Sequence, residues 1–173
     1  MKHRHSRRSE LPFHWPQPPL HVVLVNPEIP PNTGNVARLC AATGSILHLI
    51  EPMGFRITNA KLKRAGLDYW DSIDIRVHRD FDSFVAAAAP ARLLLFSTGG
   101  RQSYLDASYR PADALVFGCE TKGLPEALLE SHRKAVFGIP MRTDHVRSLN
   151  LSSAVAIVVY EALRQINAGK AVP

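Results

Sequence analysis

The sequence predicts an α/β fold in which one parallel sheet is covered by helices on both faces. Short β-branched and large apolar runs alternate with helical patterns from His21 onward. Those runs are almost continuously apolar, as strands buried on both sides must be. The chain then closes on a long apolar helix, in which Leu151, Ala154, Val155, Val158, Val159, Ala162, Leu163 and Ile166 follow the i, i+3, i+4, i+7 rule.

Residues 1–19 are first basic (Lys2, Arg4, Arg7, Arg8) and then proline-rich, a composition unsuited to a core and expected to form a disordered tail. A single domain is expected over residues 20–170. Strands are expected at His21–Val25, Ile46–Ile50, Ile73–His78, Arg92–Ser97, Ala114–Gly118 and Ala135–Met141. Helices are expected at Asn35–Thr43, closed by Gly44, and at Asn59–Ala65, closed by Gly66. A third, Asp80–Ala89, carries Phe81, Phe84, Val85 and Ala88 on one face, and a fourth, Pro125–His132, opens with Pro and Glu. The last helix starts behind Ser148 and Asn150, whose side chains can cap free N–H groups, and stops at Gly169. Its second face, with Ala156, Ile157 and Tyr160, is also apolar, which predicts burial against a second copy of the chain.

Composition narrows the function. The chain of 173 residues has 21 Lys and Arg against 15 Asp and Glu, a net charge of +6 that favours a polyanionic partner. Its 2 cysteines, Cys40 and Cys119, have neither metal nor disulfide spacing, and with no secretory apolar segment they point to a reducing cytosol. No apolar run is long enough to span a bilayer. Of the 8 histidines only His3 and His5 lie close together in sequence.

Ligands of parallel sheets bind beyond the carboxyl ends of strands, so chemistry is expected in the loops NPEIPPNTGN, TGGRQS, GCETKGLP and RTDHVRSLN. The last three are rich in Gly, Ser and Thr, suited to holding a cofactor through backbone groups. The first strand is followed by no GxGxxG, and there is no GxxxxGK[ST] anywhere, which leaves dinucleotide and P-loop readings unsupported. Arg38, one turn beyond Asn35, projects away from the face made by Val36, Leu39 and Cys40, toward a cleft or water. Glu120 stands in a turn between two glycines, where it either caps backbone N–H groups or reaches a substrate. Lys122, Arg142 and Arg147 are phosphate or carboxylate binders or ordinary surface charges. Cys119 with His145 as nucleophile and base, or Asp144 with His145 as metal ligands, lack the further group either chemistry needs.

Taken in order, NPEIPPNTGNVARLCAATG, EPMGF, KRAGLDYW, VFGCETKGLP and IPMRTDHVRSLNLSSAVAIVVYEALRQ closely resemble the SPOUT superfamily of RNA methyltransferases. Within it they resemble the enzymes that methylate the ribose 2′-oxygen of the tRNA wobble cytidine or uridine. The resemblance runs from His21 to Asn167. It implies an S-adenosyl-L-methionine cofactor, a C-terminal trefoil knot formed by three late loops, and a homodimer that acts on the tRNA anticodon loop without metal or membrane. It also implies cofactor contacts at Phe96, Gly118, Ile139, Ser148 and Leu149, and catalytic roles for Arg38, Asn35, Glu120 and Asn150. RNA contacts are expected at Lys61, Arg64, Arg142 and Arg147. The same fold could instead serve another RNA, such as ribosomal RNA, or an RNA-binding dimer without activity.

Overall fold

The computed structural model describes residues 11–56, 73–142 and 144–168. The helix expected at Asn59–Ala65, with Lys61 and Arg64, lies outside the described residues, as does Gly169. Strands run at His21–Val25 (β1), Ile46–Ile50 (β2), Ile75–His78 (β3), Arg92–Phe96 (β4), Gln102–Ser103 (β5), Asp113–Phe117 (β6) and Val136–Gly138 (β7). Helices run at Pro30–Thr43 (α1), Phe81–Ala88 (α2), Glu126–Ser131 (α3) and Leu151–Asn167 (α4).

The strands form one seven-stranded sheet in the order β3-β2-β1-β6-β4-β7-β5, and every adjacent pair is parallel. Alternation along each strand splits the core. Val22, Leu24, Leu47, Leu49, Leu115 and Phe117 face α1 and α4, where Val36, Ala37, Cys40, Val155, Val158, Val159 and Leu163 meet them. Val23, Val25, Ile50, Leu95 and Val116 face the other way, toward Phe84 of α2 and Leu128 and Leu129 of α3. The expected two-sided cover is therefore present.

Three expectations are corrected. The first helix begins at Pro30 rather than Asn35, with Pro30 and Pro31 at its first two positions, where a missing N–H costs nothing. A two-residue strand, β5, forms the sheet edge beside β7, too short for any periodicity to announce. Part of the stretch expected to be a tail is anchored: His14 donates its N–H to Asn167 Oδ1 (3.1 Å), Asn167 Nδ2 donates to the His14 carbonyl (3.0 Å), and Phe13 packs on the core.

Strand register also joins histidines far apart in sequence. His21 Nδ1 and His48 Nε2 are 2.9 Å apart, and His48 Nδ1 and His78 Nε2 are 3.0 Å apart. The three rings step diagonally over β1, β2 and β3, with Phe84 edge-on to His48 and His78. Burial holds all three imidazoles below their usual pKa, His48 down to about 3, with the neighbouring rings and Arg76 adding to the effect on His48. At the amino-terminal ends of β4 and β6, Asp113 is fully buried and accepts from Arg92 Nε (2.9 Å), Arg92 Nη2 (2.6 Å) and the Arg110 N–H (2.7 Å). This fork ties β4 to β6 where they start.

Candidate active site

Because β4, β6 and β7 are in register, with Phe96 opposite both Phe117 and Phe137, the loops that leave them open at one edge of the sheet. Together with the start of α4 they line a cleft of about 590 Å³, within the size range of small-molecule sites. Its wall is Phe96 to Gly99, Phe117 to Leu124, Ile139, Met141 and Arg147 to Leu151, with Ile29 and Asn32 contributed by the first helix.

Backbone packing shapes this cleft. Gly118 lies so close to Gly123 and Leu124 that a Cβ would collide with their main chain. Cys119 and Gly123 exchange backbone hydrogen bonds of 3.2 and 3.0 Å, and Gly123 takes the left-handed conformation (φ 70°) that closes the turn. The turn after β4 is held by Gly100 N–H to Ser97 O and Ser97 N–H to Phe137 O, both 3.0 Å. A Cβ at Gly100 would strike the backbone of Phe137 and Gly138.

A polar network then connects the cleft to α1. The Glu120 carboxylate accepts from the backbone N–H groups of Glu28 (2.8 Å) and Ile29 (3.2 Å) and from Asn32 Nδ2 (3.0 Å). It stands at the start of α1, whose own N-cap residue, Ile29, has no side chain able to cap, and where a negative charge complements the helix dipole. Asn32 Oδ1 in turn accepts from Asn150 Nδ2 (2.9 Å), and Asn150 Oδ1 caps α4 by accepting from the N–H of Ser152 (2.9 Å) and Ser153 (3.4 Å). Of the two expected caps of this helix, Asn150 makes the bonds.

The expected site residues separate into groups. Phe96, Gly118, Ile139, Ser148 and Leu149 all line the cleft, with Glu120, Asn150 and Arg147. Arg38 and Asn35 are exposed on α1 and are not part of that lining. Arg142 is exposed, 3.7 Å from Asp144, which also lies 3.2 Å from His145. Asn32, which no expectation named, is the asparagine that joins Glu120 to Asn150, and it is 6% exposed. The signal available was helical position: with α1 begun at Pro30, Asn32 lies on the side of Val36 and Cys40, the face turned inward. Among the described residues no group of three or more His, Cys, Asp or Glu side chains could hold a metal ion.

The pattern of the SpoU rRNA Methylase family matches residues 19–160. The chain belongs to that family. The tRNA (cytidine(34)-2′-O)-methyltransferase of Burkholderia pseudomallei (strain 1106a) is 55% identical over 148 residues, 84% of this chain and 94% of that one. A solved structure described as giving insight into the 2-OH methylation of C/U34 on tRNA is 50% identical, with a TM-score of 0.77 over 84% of this chain and 95% of that chain. A more distant SpoU-type structure, an AdoMet-bound rRNA methyltransferase from Sinorhizobium meliloti, is 26% identical with a TM-score of 0.72, over 84% of this chain and 56% of that chain.

As a SpoU family methyltransferase the chain is expected to use S-adenosylmethionine, and its cleft suits that group. The walls include glycine- and serine-bearing turns whose main chain can reach a ligand, and the contact of Gly118 with Gly123 leaves no room for a side chain at residue 118.

Proposed function

We propose that this protein methylates the ribose 2′-hydroxyl of the tRNA wobble nucleotide, cytidine or uridine 34, using S-adenosylmethionine, and that it works as a homodimer in the cytoplasm. The observation that carries the substrate is the 55% identity to a tRNA (cytidine(34)-2′-O)-methyltransferase over nearly the full length of that enzyme. The cleft formed by the loops after β4, β6 and β7 supplies the cofactor site.

When bound, S-adenosylmethionine supplies a methyl group activated by a positive sulfur. The protein's part is to align the ribose oxygen and manage its proton. Phe96, Gly118, Ile139, Ser148 and Leu149 hold the cofactor, and Arg38 acts on the nucleotide. A guanidinium holds its proton too firmly to serve as a base, so Arg38 chiefly orients the ribose and stabilises the oxygen as it becomes anionic. Glu120 and Asn150, bridged by Asn32, set α1 and therefore Arg38 relative to the cleft. Asn35, one turn before Arg38 and exposed like it on α1, acts beside it on the nucleotide.

Arg142 and Arg147, with Lys61 and Arg64, are the phosphate contacts. Ile157 and Tyr160, 37% and 54% exposed on α4 beside Ala156, form the dimer face. The family's trefoil knot belongs with the insertion of β6 between β1 and β4 and of β7 between β4 and β5, which brings the late loops together. The family description names ribosomal RNA, which favours rRNA as a second substrate reading. Offering labelled S-adenosylmethionine with tRNA and, separately, with ribosomal RNA decides between them: tRNA alone should take up label, and uptake by ribosomal RNA alone would overturn the reading.

A further inference from the structure

Glu28 precedes α1 and stands behind the turn at residues 119–123. Its carboxylate accepts from the Thr121 N–H (Oε2, 3.1 Å) and from the Thr121 hydroxyl (Oε1, 2.9 Å; Oε2, 2.8 Å). Its own backbone N–H donates to Glu120 Oε2 at 2.8 Å. Neighbouring carboxylates from two loops thus brace each other's backbone in opposite senses, and the braced loops are those leaving the adjacent strands β1 and β6.

The rear of Glu28 is equally fixed. Gly54 donates its N–H to the Pro27 carbonyl (2.9 Å), and a Cβ at Gly54 would come within 2.9 Å of the Glu28 Cα and carbonyl oxygen. Asn26 Nδ2 donates to the Pro52 carbonyl at 3.1 Å. Inside the 119–123 turn the backbone bonds join only its ends, Cys119 and Gly123. Thr121 at the apex is held chiefly from outside, by Glu28, with a long contact of 4.0 Å from its hydroxyl to Cys119 Sγ inside the turn, and Thr121 and Lys122 line the cleft.

We propose that Glu28 is a positioning residue for the cofactor site: it fixes the apex of the 119–123 turn at the height that shapes the cleft, and locks that turn to the start of the helix carrying Arg38. It acts through Thr121 and Glu120, and the proposal rests on the S-adenosylmethionine reading of the cleft. Hydrogen bonds to a charged group are strong enough for their loss to weaken binding about tenfold or more.

The test compares wild type, Glu28→Ala, Glu28→Gln, Thr121→Val and the Glu28→Ala/Thr121→Val double variant. Thermal unfolding of each identifies those that fold. Hydrogen exchange of residues 119–123 in the free proteins and calorimetric titration with S-adenosylmethionine then give the readouts. Expected are faster exchange of that segment and a Kd raised about tenfold in Glu28→Ala, with a higher KM for the cofactor and a smaller change in kcat. Glu28→Gln, which keeps an acceptor oxygen, falls between, and the double variant binds no worse than Glu28→Ala. Unchanged exchange or unchanged Kd in Glu28→Ala or, should that variant not fold, in Glu28→Gln overturns the proposal, as does additivity in the double variant. Wild-type protein that takes up no S-adenosylmethionine ends the cofactor reading itself, a failure separate from the exchange result.

Discussion

Asn150 donates its side-chain amide to the side-chain carbonyl of Asn32 at 2.9 Å, joining the starts of two helices that lie 118 positions apart. Asn32 passes the connection on to Glu120 at 3.0 Å, so one buried side chain ties α1, α4 and the turn after β6 into a single unit. Fully satisfied polar links of this kind hold a geometry more strictly than apolar contact does, and they cost most when half is removed.

Replacing Asn32 by Ala takes from the Asn150 amide its Asn32 acceptor and leaves Glu120 Oε1 with the Ile29 N–H. The expected loss is about 1–3 kcal/mol of stability, with weaker cofactor binding, whereas Asn35→Ala on the exposed side of α1 changes stability by less than about 0.5 kcal/mol. Urea unfolding and cofactor titration of both variants check this. Equal effects would contradict the bridging role of Asn32.

Gly118→Ala drives a Cβ into the main chain of Gly123 and Leu124. The turn has to shift, and the shift falls on the cleft that residues 117–124 line. Cofactor affinity should drop by a factor of ten or more, about 1.4 kcal/mol, measured by calorimetry. Wild-type affinity in this variant would place the cofactor elsewhere.

The His21–His48–His78 chain makes stability depend on pH. Above about pH 6.5 an unfolded histidine is neutral as well, and the chain contributes no slope. Below it the unfolded protein takes up protons that the folded one refuses, so stability is lost as pH falls, until His48 itself titrates at about 3. For His48 alone the loss between about pH 7 and about pH 5 is about 2 kcal/mol, and the lowered pKa values of His21 and His78 act in the same direction. Urea unfolding across this range should show a shallower decline for His48→Gln than for wild type. Parallel curves would contradict the assignment.

Arg38→Lys keeps the charge but loses the planar fork that orients a ribose and its phosphate. Turnover is expected to fall by at least about tenfold with cofactor affinity unchanged. Full turnover by the lysine variant, in single-turnover methylation of tRNA, would refute the orienting role.

Much of the architecture was legible because burial on both faces writes itself into strands as unbroken apolar runs: β1 and β2 begin and end as expected, and every residue of the α4 stripe except the half-buried Ala154 is buried. The start of α1 was not. Asn32, Thr33 and Gly34 are poor helix formers, and what caps their turn is Glu120, a residue some ninety positions away that local pattern cannot supply. The same distance hid Asn32 and Glu28, whose partners are known only once β1 and β6 are neighbours. The histidines were missed for a related reason: each is alone in its own strand, and only the register of three strands brings the rings together.

The central claim is that the cleft serves methyl transfer to a sugar oxygen at the wobble position. Incubation of the purified protein with S-adenosylmethionine and tRNA, followed by alkaline hydrolysis and mass spectrometry of the fragments, tests it most directly. The account predicts one bond resistant to alkali, 3′ of nucleotide 34, with a single added methyl on its ribose. A methyl on a base, resistance at another position, or no methylation of any tRNA would contradict it.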